Sequence, residues 1–254
     1  MTSTEEATKL FSRPESLTRL PFAYCPGCGH GVIHRLIADV IDELGIAGKI
    51  VAVTSIGCSV RMWQHFTYDM CQALHGRAPA VATGLRRALP SDRVIFTYQG
   101  DGDLAAIGTA ETVHAAARGE NITVLFVNNA VYGATGGQLA PTTILGQKTA
   151  STPYGRDPAL AGYPIRVCEL LSSLDGVSYL ARVGIFDASS VAQARRAVKK
   201  AFKSQMEGKG FSLVEFLASC PTNLHLKPVE AAQWVKERMT SFFPLGEFKQ
   251  GKKE

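Results

Sequence analysis

No stretch of this 254-residue sequence approaches the ~20 consecutive apolar residues that a membrane-spanning helix needs. The first twenty residues interleave Glu5, Glu6, Lys9, Arg13 and Glu15 with few apolar neighbours, which is unlike the apolar centre of a secretory signal, so a cytoplasmic location is the expectation. Charge of one sign is scarce as well. The net +5 is spread along the chain, apart from Arg195, Arg196, Lys199 and Lys200 and the tail residues Lys249, Lys252 and Lys253, which read as solvated faces; nucleic acid is not an expected partner. Internal repeats, low-complexity segments and a P-loop signature are all missing. Cysteine is limited to six residues, which in a reducing compartment are not expected to pair as disulfides, so any that cluster point to metal or redox chemistry. What remains is a composition of 46% hydrophobic and 19% charged residues, enough for one substantial core.

Apolar residues Val32, Ile33, Leu36, Ile37, Val40, Ile41 and Leu44 recur at three- and four-residue steps and stop at Gly45, which predicts an amphipathic helix with a glycine cap. Ile50 to Ser55 is a β-branched, nearly continuous apolar run, as expected of a strand buried on both faces. The alternation continues. A helix is predicted through Val81, Leu85 and Leu89, a strand at 94–98, a helix at about 104–117, a strand at 122–127, a helix at 167–174, a strand at 179–185, a helix at 191–205 and a strand at 211–217. Strand, helix, strand in this rhythm implies right-handed crossovers and a mainly parallel sheet flanked by helices, an α/β single domain. The predicted organisation is a polar lead-in over 1–23, the domain over 24–227 and a C-terminal extension over 228–254. The stretch from Tyr132 to Tyr163, rich in Gly, Pro and Thr, is long for a loop and is expected to cover a ligand or meet a partner.

Ligands of open parallel sheets sit beyond the carboxyl ends of the strands, and two such ends read YQGDGD (98–103) and VNNAVYG (127–133). Gly100 and Gly102 allow a sharp turn and close approach, and the following helix points free N–H groups at the same place, which suits a phosphate. Asp101 and Asn129 offer hard oxygen ligands for Mg2+. Singly, GDG and NN are ordinary turns. Separated by one helix and one strand they form one crossover unit, and this pair resembles the thiamine diphosphate motif. A nicotinamide site fits less well, because GDGDLAAIG lacks the G-x-G-x-x-G spacing and sets an acid where a pyrophosphate would be repelled without a metal.

Cys25 and Cys28 form a C-x-x-C at the mouth of a helix, Cys58 lies in IGCSVR and Cys220 in ASCPTN, all at element boundaries; Cys71 and Cys168 lie in apolar, helical contexts and read as core. Alone, the C-x-x-C is compatible with a dithiol pair, half a zinc site or half an iron-sulfur site.

Taken together, YCPGCGHG, IGCSVR, HGRAPAVATG, YQGDGDLAAIGTAE, VNNAVYGATGGQLAPTT and SCPTN resemble the β subunit of 2-oxoacid:ferredoxin oxidoreductases, in the group acting on 2-oxoglutarate or branched-chain 2-oxoacids, from about Tyr24 to the C-terminal region. The resemblance implies a thiamine diphosphate-binding fold in which Cys25, Cys28, Cys58 and Cys220 ligate a 4Fe-4S cluster. It implies that Ile56, Gly57, Cys58, Ser59 and His75 contact the cofactor, that Asp101, Asn129 and the Val131 carbonyl hold Mg2+, and that Gly102, Asp103, Gly133 and Ala134 lie close by. His75 has a second reading as a helix cap. His30, His34, His65, His114 and His225 read as ordinary polar or core residues. The implied activity is coenzyme A-dependent oxidative decarboxylation of a 2-oxoacid, with electrons passed to ferredoxin. Only the diphosphate module is recognisable, so the activating glutamate is expected on a partner α subunit carrying the pyrimidine module, alongside γ and ferredoxin-like δ subunits; Glu111 reads as structural or solvent-facing. Arg61, one residue beyond the IGCS turn, is a candidate for the substrate carboxylate. Gly136 stands where some relatives have a lysine, which favours a branched-chain substrate over 2-oxoglutarate. The alternative is a zinc-stapled structural or electron-transfer subunit with a vestigial thiamine fold.

Overall fold

The computed structural model describes residues 12–250, so Glu5, Glu6, Lys9, Lys252 and Lys253 lie outside the described residues. Helix α1 (Gly29–Leu44) buries Ile33, Leu36, Ile37, Val40 and Ile41 and ends at Gly45, whose φ of 64° lets its N–H return to the Asp42 carbonyl. There follow β1 (Ile50–Thr54), β2 (Asp69–Gln72), α2 (Ala78–Ala88), β3 (Val94–Gly100), α3 (Thr109–Ala117) and β4 (Thr123–Asn128). The second half runs α4 (Pro158–Ala161), α5 (Val167–Ser172), β5 (Val177–Gly184), α6 (Ala188–Met206), β6 (Phe211–Leu217), α7 (Pro221–Leu224), α8 (Pro228–Trp234) and β7 (Gly246–Gln250).

The seven strands form one sheet in the order β2-β1-β3-β4-β6-β5-β7, parallel throughout except for β7, which pairs antiparallel with β5. The central strands β4, β5 and β6 are buried along their whole length, as a sheet covered by helices on both faces requires. One face packs against α1 and α6 through residues such as Ile37, Phe96, Phe202 and Phe216; the other packs against α2, α3 and α5 through Ala82, Phe126, Leu171 and Leu213. Complete burial of side chains of this size contributes about 1.5–3 kcal/mol each. Asp187 caps α6 by accepting the Ser190 N–H at 2.8 Å, and the exposed side of α6 pairs Arg195 and Lys199 with Glu43 of α1, in keeping with a solvated face. No helix among the described residues is long and apolar enough to cross a membrane.

Several predicted elements need correction. Cys71 lies on β2, a four-residue edge strand with both end residues exposed, and not on a helix; so short a run leaves no readable period. The helix predicted from 104 opens with π-type turns over Asp103–Ile107 before α3, where the Gly108 N–H reaches the Asp103 carbonyl. Such insertions are frequent at functional sites. The 132–163 stretch is held from within by the Arg156 guanidinium, which donates to the carbonyls of Ala140, Pro141, Thr143, Ala161, Gly162 and Tyr163. From residue 228 onward, β7 completes the sheet while Val235, Met239 and Phe243 are buried with Ala130 and Leu217 in a third apolar cluster.

Candidate functional site

A cleft of about 290 Å³ opens at the carboxyl ends of β1, β3 and β4. Ile56, Gly57, Cys58 and Ser59 enter it from the turn after β1, and His75 from the turn before α2. Gly100, Asp101, Gly102 and Asp103 come from the end of β3, while Asn129, Val131, Gly133 and Ala134 follow β4. All the cofactor and Mg2+ candidates named from the sequence therefore line one concavity. Gly57 adopts φ 102° and ψ −158°, a region open only to glycine. A Cβ on Gly102 would stand 2.1 Å from the Tyr132 ring, so a larger residue there would have to displace that ring from the cleft wall.

Asp101 is buried. Its Oδ1 accepts the Gly102 N–H at 2.9 Å and its Oδ2 accepts the Thr142 hydroxyl at 2.8 Å. Burial pushes its carboxyl up to about 6, and the hydrogen bonds from Thr142, Gly102 and the Ala130 backbone oppose that rise only in part. A buried carboxylate in that condition gains from a cation beside it, and the oxygens of Asn129 and Val131 on the same wall complete a donor set of the hard kind Mg2+ takes. The residues present thus fit a metal-bridged diphosphate. Between Asn129 and Val131, Ala130 holds φ 61°, a left-handed conformation that costs a non-glycine residue about 1 kcal/mol or more.

The Asp103 carboxylate has a different task. It accepts from Ser55 Oγ at 2.6 Å, Gln99 Nε2 at 2.6 Å, the Gly76 N–H at 2.7 Å and His75 Nδ1, which fills its acceptor capacity and turns the other ring nitrogen of His75 away from the acid. Sequence reasoning missed three contributors. His30, classed as ordinary, lines the cleft, is lowered to about 4 by burial and meets the Tyr98 hydroxyl at 2.5 Å. Tyr132 walls the cleft and Thr142 holds Asp101. The only signals for these were CGHG directly after the C-x-x-C and the paired threonines of APTT. Arg61 is exposed and is not among the lining residues, although its charge is felt at Cys58 and Tyr24. His34 and His65 are buried, whereas His114 and His225 are exposed; Glu111 pairs with Arg77 on the crossover helix.

The four boundary cysteines converge. A Cβ on Gly133 would lie 3.7 Å from the sulfurs of both Cys58 and Cys220. Cys220 also receives Asn223 Nδ2 at 3.2 Å, whose amide donates to the Gly133 carbonyl at 3.0 Å. The Cys25–Cys28 loop is seated on the segment after β6: Gly29 N–H donates to the Ser219 carbonyl and Ser219 Oγ to the Gly27 carbonyl. Added Cβ atoms on Gly27 and Gly29 would stand 2.5 Å from Pro228 and Ala218 respectively. Burial pushes the Cys28 thiol up to about 12, with Cys220, Cys58 and Cys25 adding to the rise against a backbone N–H of His30. Cys58 and Cys220 are also raised, first by burial and then by neighbouring thiols. Thiols that cannot ionise without opposing one another gain from a shared positive centre. Among the described residues no group of three or more His, Cys, Asp or Glu side chains is close enough to hold a single metal ion. Cys168 is buried in α5 beside Glu215, and Cys71 is half-buried on β2, both apart from this set.

Residues 54–216 match the family described as the thiamine pyrophosphate enzyme, C-terminal TPP binding domain. Ketoisovalerate oxidoreductase subunit VorA of Methanothermobacter thermautotrophicus is 49% identical over 226 residues, covering 89% of this chain and 47% of that protein. 2-Oxoglutarate synthase subunit KorB of Archaeoglobus fulgidus is 37% identical over 218 residues, covering 86% of this chain and 77% of that protein. Among solved structures, 2-oxoglutarate:ferredoxin oxidoreductase from Magnetococcus marinus, with 2-oxoglutarate, coenzyme A and succinyl-CoA bound, superposes with a TM-score of 0.76 at 27% identity, covering 97% of this chain and 87% of that one. The chain spans about half the length of the VorA subunit.

Proposed function

The chain belongs to the 2-oxoacid:ferredoxin oxidoreductases, as a subunit with the thiamine pyrophosphate-binding domain, and from that premise we propose that it carries the diphosphate half of a site for coenzyme A-dependent oxidative decarboxylation of a 2-oxoacid, with electrons leaving through a 4Fe-4S cluster to ferredoxin. The observation that carries this reading is Gly133: one wall of the diphosphate cleft has the sulfurs of Cys58 and Cys220 directly against it, so redox centre and cofactor would share that wall. In this reading Asp101, Asn129 and the Val131 carbonyl hold Mg2+, and Gly102, Gly133 and Ala134 let the backbone approach the cofactor. His75, fixed through Nδ1 by Asp103, faces the cofactor with its other nitrogen, while Cys25, Cys28, Cys58 and Cys220 ligate the cluster. Thiamine diphosphate, when bound, supplies the carbon nucleophile that releases CO2 from a 2-oxoacid. The chain's own part is to bind the diphosphate, exclude water and provide a short path for electrons. No group here is assigned as catalytic base; the activating glutamate belongs to a partner α subunit, with γ and ferredoxin-like δ subunits completing a cytoplasmic assembly.

A branched-chain substrate such as 2-oxoisovalerate is favoured over 2-oxoglutarate. Gly136, at φ 111°, offers no cation for a second carboxylate, and the VorA relative with 49% identity is a ketoisovalerate oxidoreductase. Arg61 is the candidate for the single carboxylate that all these substrates share. The test is the purified native complex: bound thiamine, a broad visible absorbance bleached by dithionite, and coenzyme A-dependent ferredoxin reduction with 2-oxoisovalerate exceeding that with 2-oxoglutarate. A colourless protein holding zinc and no thiamine would overturn the reading. A kcat/KM higher for 2-oxoglutarate would overturn the substrate preference alone.

A further inference from the structure

The turn that supplies Asn129 and the Val131 carbonyl is held at several points: the Val131 N–H donates to Asn129 Oδ1 at 3.2 Å, and the Ala130 carbonyl accepts from Thr143 Oγ1 at 2.7 Å and Gln147 Nε2 at 3.2 Å. Its left-handed residue, Ala130, has its N–H bound at 3.1 Å to the side-chain Oδ1 of Asn128, the last residue of β4. Asn128 is fully buried, so its amide nitrogen also needs a partner, and that partner fixes which end of the amide faces Ala130. The partner is Glu215 of β6, whose Oε1 accepts Asn128 Nδ2 at 2.8 Å. Glu215 is itself fully buried and is fixed by Arg182, its register partner on β5, through Nε to Oε2 at 2.8 Å. Arg182 in turn reaches Glu169 at 2.6 and 3.0 Å and the Pro244 carbonyl at 3.1 Å, and its guanidinium lies against the rings of Phe243 and Phe248. A buried ion pair is weak as a source of stability and is better suited to enforcing one geometry. Here it runs from the C-terminal elements, through three strands, to the turn that meets the cofactor.

We propose that Glu215, anchored by Arg182, is a positioning residue for the metal and diphosphate site: by locking the Asn128 amide it holds Ala130 left-handed and thereby aims the oxygens of Asn129 and Val131 into the cleft. The inference rests on the reading of Asp101, Asn129 and Val131 as Mg2+ ligands. It gives Asn128, which lies behind the turn, a role apart from that of Asn129, which lines the cleft, and explains why a carboxylate with no access to the cleft is buried in the central sheet.

The test is Mg2+-dependent binding of thiamine diphosphate, measured by equilibrium dialysis on the assembled complex, with the melting temperature recorded for each variant. Glu215→Gln removes the charge that Arg182 fixes and makes the amide partner ambiguous; the Mg2+ concentration for half-saturation is expected to rise about tenfold. Glycine takes the left-handed conformation without strain, so Ala130→Gly in the Glu215→Gln background should bring that concentration back to within about threefold of the parent. Should Glu215→Gln fail to fold, Asn128→Ala removes the acceptor of the Ala130 N–H outright and is read against the same rescue. Unchanged Mg2+ dependence in a folded clamp variant, with only a lower melting temperature, would overturn the proposal, as would a weakened affinity that Ala130→Gly leaves unrepaired. Asp101→Ala tests the underlying reading separately: if that variant kept its Mg2+ dependence, the ligand assignment would fail whatever Glu215 does.

Discussion

Asp101 concentrates the chemistry of the site in one side chain. Asp101→Ala deletes a buried carboxylate that carries an unrelieved desolvation cost, so the metal-free variant should melt no lower than the parent, while Mg2+-dependent thiamine diphosphate affinity falls by at least about 100-fold. Retained cofactor content after gel filtration would contradict this. The same residue sets a pH dependence whose sign follows from its raised pKa. In the folded, metal-free chain the proton is held up to about 6, whereas the unfolded chain releases it at 3.8, so between those values the folded state binds more protons. The group's favourable contribution is therefore fully present below 3.8 and is lost as the pH rises through 6. Mg2+ competes for the same oxygens, so its affinity should weaken about tenfold for each pH unit below about 6, seen as a rising Mg2+ requirement for cofactor binding. A flat Mg2+ requirement from about pH 8 down to pH 5 would show that another group holds the cation.

At the scale of elements, the proposed cluster site depends on how the segment after β6 meets the start of α1. Ser219 and Ala218 lie against Gly27 and Gly29, where no side chain fits, and Cys220, next in sequence, sets its sulfur behind Gly133 of the cleft wall. Cys220→Ser should therefore lose the dithionite-bleachable absorbance and most of the bound iron, while Cys168→Ser, in α5 and away from the other thiols, should keep both. Equal loss in the two variants would break the four-cysteine assignment. How far such elements could be read from the sequence depended on where their specification resides. The helix ending at Gly45, the strand at 211–217 and the GDG and NN turns follow from local periodicity and turn chemistry, and they sit within a residue or two of where they were expected. Strand β2 is too short to carry a period. Strand β7 is specified by its pairing with Tyr179 to Arg182 far back along the chain, and the roles of His30, Thr142 and Glu215 arise from contacts across distant segments. Those contacts leave no mark in any local pattern. The Cys25–Cys28 pair stayed ambiguous for the same reason, since Cys58 and Cys220, whose thiols the fold brings close enough to be felt at Cys28, lie far along the chain.

For the whole molecule, the decisive feature is what surrounds the cleft mouth. Ile56, 36% exposed, lines the cleft itself; Leu74, 79% exposed, precedes His75; and Ile107, 50% exposed, packs against Gly76 in the same turn. Apolar side chains exposed around the mouth of a cleft are costly in water and are natural at a surface that another subunit covers. In the proposed function that location is also where the pyrimidine half of the thiamine site would arrive, because this chain is read as carrying the diphosphate module alone. The cofactor would then be buried only on assembly, and docking and catalysis would share one interface. Leu74→Glu places a charge in the centre of this rim without touching a core contact, since Leu74 is almost wholly exposed. Its expected effects are an unchanged melting temperature for the separated chain and a loss of about 2 kcal/mol in association with the α subunit, roughly 30-fold in Kd, measured by size-exclusion or sedimentation titration. Thiamine diphosphate retention should fall in parallel, because a half-built site exposes the cofactor to water. Val229→Glu, at an apolar residue of α8 that is 81% exposed, serves as the control and should leave association unaltered. If Leu74→Glu assembled as tightly as the parent, the partner would have to approach from another side, and the cleft mouth would need a different explanation for its apolar border.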